Sequence, residues 1–206
     1  EKEYEMLTKK IKHLKTQTTT MSKEDFRLIK ELITALNILY CESEYEADNV
    51  CGHFVRTGYA WACLSEDMDM FVYGCPRVLR YLSLLKSNVV LYDLAGILNQ
   101  LNISFADFQD ICILSGTDYN SAADSNIELH KALKLYAKYR KRGANEGYHK
   151  WIITQQYIKD VETYNITKQL FDLSHLKLDR NSLTEPDYDE NGMRDFLLDY
   201  GFVFAY

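Results

Sequence analysis

The strongest constraint on this chain lies between Cys41 and Asp69, where two acidic clusters each follow a short apolar segment: Cys-Glu-Ser-Glu-Tyr-Glu-Ala-Asp, then Ala-Cys-Leu-Ser-Glu-Asp-Met-Asp. Ile38 to Tyr40 is too short for a helix and reads as the end of a buried strand. Ser43 can cap a helix whose apolar stripe is Ala47, Val50, Cys51 and Phe54 and whose stop is Gly58; Tyr59 to Leu64 reads as a second strand. Strand, helix, strand with a connection of this length predicts a βαβ unit, hence two parallel strands in a sheet covered on both faces. Glu42, Glu44 and Glu46 then follow the carboxyl end of the first strand, and Asp67 and Asp69 that of the second. Ligands of open α/β sheets bind at that edge.

The rest of the chain fits around this unit. Tyr4, Leu7, Ile11 and Leu14 predict an amphipathic helix with Lys9, Lys10, Lys12 and Lys15 around it, either a solvated face or a basic surface beside nucleic acid. Ser22 and Asp25 form a capping box for a helix burying Phe26, Ile29, Ile33 and Leu36. After a turn at Gly74 to Pro76, strands are expected at 77–82 and 89–92. Asp93 caps a short helix, and Ser104 with Asp107 opens another that turns Phe105, Phe108, Ile111 and Cys112 inward and ends at Gly116. Asp118 follows it. Residues 127–142 read as a helix with Lys131, Lys134 and Lys138 on one face. Beyond Gly143 the pattern loosens until a last helix starting near Pro186 and carrying Met193, Phe196 and Leu197.

Composition excludes several classes. No apolar run approaches the ~18 residues of a membrane span, and no leader peptide is visible. The five cysteines form no C-x-x-C pair and are odd in number, so neither a zinc site nor a disulfide framework is indicated; they read as reduced intracellular thiols. The five histidines are scattered, and there is no P-loop or dinucleotide-binding glycine motif. The net charge of -6 hides segregation, with acid near 42–48, 65–69 and 187–199 and base near 9–15 and 131–142. The chain begins at Glu1 inside a helical pattern, without an initiator Met, and is expected to be a fragment.

Carboxylates gathered at one sheet edge resist ionisation together unless cations hold them. Hard divalent ions take such oxygen ligands, and a pair of them suits phosphodiester hydrolysis. Glu42 and Asp48 are better read as a solvated helix start favoured by the macrodipole. Asp67 and Asp69, two apart in an extended segment beside a buried strand, point the same way and are harder to explain structurally.

Ser43 to Ala47, Ser65 to Asp69 and Asp110 to Tyr119 closely resemble, in order and spacing, the internal acidic motifs of flap endonucleases and related XPG-type 5′ nucleases. The resemblance continues weakly into residues 1–20, similar to part of a helical arch, and into 186–202, similar to the helix closing the core; residues 143–185 match poorly. It implies an α/β, PIN-like nuclease core with a mostly parallel central sheet flanked by helices and a helical DNA-binding extension. The implied division is 1–20 arch, 21–119 internal region of the core, 120–145 a divergent helix-hairpin-helix region, and 146–206 a segment closing the core. It further implies that Glu44, Glu46, Asp67 and Asp69 serve catalysis and, with Asp118, hold two Mg²⁺ ions, for which Mn²⁺ can substitute. The implied reaction is 5′-nuclease cleavage of DNA at junctions of single and double strand, in replication or repair. Lys131, Lys134 and Lys138 would contact phosphates.

The chain departs from the family in two respects. The N-terminal half of the nuclease core is missing, so this polypeptide alone is expected to be inactive and to need that half as a partner. Residues 120–127 lack the family's Gly-x-Gly turn, which puts its monovalent-ion site in doubt. No sliding-clamp motif is present, and the expected location is intracellular, nuclear in a eukaryote. The competing reading is a catalytically inactive nuclease-like scaffold, which the retained acidic positions speak against and Mn²⁺ titration would discriminate.

Overall fold

A computed structural model of the chain describes residues 21–44, 46–120, 127–143, 146–184 and 190–201. The arch reading of 1–20, residues 121–126 of the divergent helix-hairpin-helix region and Pro186 lie outside them. Two compact units are distinguished: one drawn from residues up to Cys41 and from Leu183 onward, the other Glu42–Ser182.

In the first unit, α1 (Lys23–Ala35) starts at a full capping box: Ser22 Oγ accepts from Asp25 N, and the Asp25 carboxylate accepts from Ser22 N at 2.7 Å. Among the described residues it packs against α9 (Glu190–Asp199), on which Met193, Phe196 and Leu197 are half-buried. The expected buried face is not observed. Phe26, Ile29 and Leu36 are exposed, and no residue of α1 is fully buried. The predicted strand at 38–40 is also absent: Tyr40 makes one isolated antiparallel bridge to Thr184. Among the described residues the bridge partner of Tyr40 thus comes from the far end of the chain.

The second unit is α/β. Helix α2 (Ala47–Arg56) leads to β1 (Cys63–Leu64), then the short α3 (Asp69–Val72), β2 (Arg77–Ser83), β3 (Asn88–Asp93), α4 (Leu94–Leu101) and α5 (Phe105–Ser115). Among the described residues the sheet has order β1-β2-β3 and is mixed: β1 pairs parallel with β2, and β2 antiparallel with β3. Its helices do not cover both faces of the hairpin, since Leu82, Val89, Val90 and Leu91 are exposed. The predicted caps hold at Asp93, which accepts from Gly96 N, and at Ser104, which accepts from Asp107 N. Ser43 does not cap α2; its hydroxyl donates to the Glu46 carbonyl, and Glu46 is the N-cap.

Two hydrophobic clusters meet on α5. Phe105 and Phe108 pack on the group around Met70, Phe71, Cys75 and Val78, whereas Ile111, Ile113 and Leu114 belong to the larger group that includes Trp151, Ile152 and Phe171. A helix buried on two sides needs apolar residues nearly all round, and this one has them. The larger cluster is built mainly by α6 (Leu129–Arg142), the helix expected at 127–142, and by α7 (Tyr148–Thr154) and α8 (Val161–Leu170), in the stretch whose pattern loosens. Tyr136, Tyr139, Tyr148 and Trp151 pack ring against ring, with Tyr136 and Tyr148 centroids 5.0 Å apart and perpendicular. Edge-to-face pairs of this kind add ~0.5–1.5 kcal/mol beyond burial.

Gly74 makes the turn from α3 to β2 possible. Its φ is +76°, and a Cβ there would stand 2.9 Å from Phe105 Cζ, so both backbone and space require glycine.

Candidate metal and nucleic-acid site

The loop between β1 and α3 carries Asp67 and Asp69, and a chain of bonds fixes it. Ser65 N donates to the Leu79 carbonyl at 3.1 Å, Asp67 N to Ser65 Oγ at 3.0 Å, and Asp69 N to Asp67 Oδ1 at 2.7 Å. Glu66 ties the loop to β2: its carboxylate accepts from Tyr81 N at 2.6 Å and stands 3.3 Å from Arg80, which also donates to the Glu66 carbonyl. That grip coincides with a distortion of the strand, since Tyr81 has φ +56° and the register shifts between Arg80 and Ser83.

The third acidic position arrives from α5. Beyond its end at Gly116, Thr117 and Asn120 form a two-way backbone bridge, and the Asn120 amide is anchored on the Ile113 carbonyl at 2.8 Å. Asp118 is left exposed at the tip, its N–H 3.4 Å from Asp69 Oδ2. Asp110, at the start of the same motif, is 1% exposed and plays a different part. It accepts from the Tyr164 hydroxyl at 2.8 Å and from Lys168, while His149 Nδ1 stands 3.6 Å away. It thus pins α5 to α8.

The electrostatics show which carboxylates share a site. Burial, then the charges of Asp67 and Glu46, the contact with Asp67 and the charge of Asp118, push the Asp48 carboxyl above its ordinary value. Burial likewise raises Asp69; the Asp118 N–H works against this, and Asp67, Asp118 and Asp48 add to it. The fold therefore brings together Glu46, Asp48, Asp67, Asp69 and Asp118. Glu44 lies exposed in a bend just ahead of them. Asp48 is the residue that sequence reasoning missed: on the first turn of α2 its carboxylate had a sufficient local explanation, and nothing local shows that Asp67 and Asp118 come to meet it.

Raised carboxyls packed against like charges are a site that gains from a bound cation. Among the described residues, however, no three His, Cys, Asp or Glu side chains converge tightly enough to enclose an ion by themselves. The donors suit a hard ion that keeps much of its water, as Mg²⁺ does, rather than a closed protein cage.

Residues 37–118 match the family model of the XPG I-region, a span that holds Glu44, Glu46, Asp67, Asp69 and Asp118. That span is similar to the XPG I-region. Flap endonuclease 1 of Methanococcus aeolicus is 30% identical over 174 residues, which make up 82% of this chain and 48% of that protein. The structure of flap endonuclease-1 from Methanococcus jannaschii agrees with a TM-score of 0.69 at 28% identity, covering 87% of this chain and 53% of that one. The catalytic core of Rad2 in complex with DNA substrate shares the fold at a TM-score of 0.65 and 16% identity, over 94% of this chain and 68% of that one. The chain is thus similar to flap endonucleases and spans about half the length of those it matches.

The predicted basic residues follow the I-region on α6. Lys131, Lys134 and Lys138 are all exposed on one side, and Lys138 Nζ donates to Tyr157 OH at 3.0 Å. No helix among the described residues is long and apolar enough to cross a membrane.

Proposed function

We propose that this chain is part of a structure-specific 5′ nuclease that hydrolyses DNA phosphodiesters near single-strand/double-strand junctions, with divalent metal ions held at the carboxylate cluster. The observation that carries the reading is the meeting of Glu46, Asp48, Asp67, Asp69 and Asp118 from three separate segments of an XPG I-region. Its likeness to flap endonucleases supplies the substrate class.

Asp67, Asp69 and Asp118 would hold Mg²⁺, with Glu46 and Asp48 acting directly or through water and Glu44 joining from the bend ahead of them. When bound, the ions activate a water as nucleophile and offset charge on the phosphodiester. The protein's own contribution is positional. Ser65, Glu66 and Arg80 hold the Asp67 and Asp69 loop against β2, Asp110 holds α5, and the Thr117–Asn120 bridge presents Asp118. Lys131, Lys134 and Lys138 would take duplex phosphates. Because the relatives are about twice as long, the remaining ligands and the choice of DNA structure belong to a second half of the nuclease core.

The test is cleavage of 5′-flap DNA by the full-length protein in Mg²⁺. Asp67→Ala should lower the rate by at least about 100-fold while leaving DNA affinity within a few-fold, because a metal ligand and not a phosphate contact is lost. Equal loss of binding and cleavage would refute the assignment, and an inactive full-length wild type that still binds the DNA would favour a scaffold.

A further inference from the structure

The five cysteines are all free, and three of them gather where α2 packs on β1. Cys51, on α2, is exposed; Cys63, on β1, is 9% exposed; Cys75, in the turn before β2, is fully buried. The Cys63 thiol donates a hydrogen bond to the Cys51 sulfur, so a helix and a strand meet thiol to thiol. Cys75 is engaged otherwise: its sulfur donates to the Arg77 carbonyl at 3.4 Å and accepts from the Cys63 N–H.

A touching pair with one open and one closed member has the layout of a thiol that an oxidant reaches first and a second thiol that resolves it. The thiolate is the reactive form. The bond from Cys63 brings the Cys51 thiol down to about 7, against partial burial and the charge of Asp48. The same bond, and then burial, push Cys63 up. The negative charge therefore settles on the exposed sulfur and the proton on the buried one. Cys112 lacks such a neighbour, and burial pushes it up to about 12.

We propose that Cys51 and Cys63 are a redox modification site: hydrogen peroxide converts them to a disulfide that ties α2 to β1 and loosens the hold of the carboxylate cluster on its ions. The Cys51 thiolate attacks a peroxide oxygen, the O–O bond breaks, and a sulfenic acid forms; the hydroxide released takes up the proton that Cys51 had lost. The Cys63 sulfur then attacks the Cys51 sulfur, the S–O bond breaks, and the hydroxyl leaves as water with the Cys63 proton. Two electrons pass from the sulfurs to the peroxide. Asp48 stands three residues before Cys51 and Asp67 four after Cys63, and the Asp48 charge acts on both thiols. Drawing the sulfurs from contact to bonding distance moves α2 against β1, and with them Asp48 against Asp67. This effect on the ions rests on the metal reading of the cluster; the disulfide itself does not.

The test treats the full-length protein with hydrogen peroxide and maps its thiols by alkylation and mass spectrometry. Wild type should gain a bond between the tryptic peptide carrying Cys51 and the one running from Thr57 to Arg77, and dithiothreitol should remove it. The second peptide holds both Cys63 and Cys75, and fragmentation between them should place the bond on Cys63. In Cys63→Ala, Cys51 should accumulate as a sulfenic acid that dimedone traps. Cys51→Ser, a change at an exposed position, should leave Cys63 a thiol. No bond in wild type, a bond to Cys75, or oxidation of Cys63 in Cys51→Ser at the wild-type rate overturns the proposal. Once the peroxide is removed, Mn²⁺ affinity should be at least about threefold weaker in the disulfide form and return on reduction. Equal affinity in the two forms overturns the coupling to the cluster. If neither form binds Mn²⁺, the metal reading fails, and the thiol map still decides the disulfide.

Discussion

Replacing Asp110 by Ala removes a carboxylate that joins α5 to α8, and its cost can be worked out group by group. The Tyr164 hydroxyl, on a side chain that is 4% exposed, would lose its acceptor, at ~1–3 kcal/mol. Lys168 would lose its counter-charge, but its side chain is 28% exposed and can recover water, so the 3–5 kcal/mol typical of ~fully buried pairs is an upper bound. A loss of about 3 kcal/mol follows. Asp110→Asn keeps an acceptor for Tyr164 and should cost about half as much. The assay is urea unfolding of the full-length protein, followed by far-ultraviolet circular dichroism. In a Tyr164→Phe background, Asp110→Ala should cost about 1–2 kcal/mol less, because the hydroxyl it would strand is gone. A cost below about 1 kcal/mol, or strict additivity with Tyr164→Phe, would refute the view that this carboxylate clamps the two helices.

Three further outcomes are expected. Asp48 is raised in the folded protein by burial and by Asp67, so the metal-free protein binds a proton there that the unfolded chain has released, and stability falls as pH rises through the raised value. The stabilising effect of Asp48→Asn, measured by melting in chelator, should therefore grow from pH 4 to pH 7 (about the acid and neutral limits of carboxylate titration), and a pH-independent effect would contradict the crowding of carboxylates. Gly74→Ala should destabilise by about 2 kcal/mol or more, from positive φ and the clash with Phe105, and Phe105→Leu should relieve part of it in a double variant. Reversing the charge of Lys131, Lys134 and Lys138 should weaken DNA binding by full-length protein and flatten its salt dependence; an unchanged salt slope would return that side of α6 to ordinary solvated surface.

What could be read from the sequence was what local chemistry decides. Ser22, Asp93 and Ser104 cap helices where their side chains and the following residues said they would, and the polar break at 86–88 turns a hairpin between two apolar strands. The misreadings concern partners distant in the chain. Ile38 to Tyr40 looks like a strand, but a strand needs a ladder, and among the described residues only Thr184 meets it. Apolar spacing on α1 shows a stripe without showing what covers it, and Phe26 and Ile29 are exposed. The helices from Tyr148 to Leu170 bury Tyr148 and Tyr164, which blurs the usual contrast between apolar and polar positions, although they help to build the main core. At the site, the spacing of Asp67 and Asp69 marked them, whereas Asp48 became visible only when the fold brought Asp67 and Asp118 to it.

The central claim is that the carboxylate cluster holds divalent ions. Its most direct test is Mn²⁺ titration of the full-length protein by electron paramagnetic resonance, comparing wild type with Asp69→Ala. The account predicts carboxylate-dependent Mn²⁺ sites in wild type that Mg²⁺ displaces and that weaken by at least about tenfold in Asp69→Ala. Identical titrations for the two proteins would contradict it.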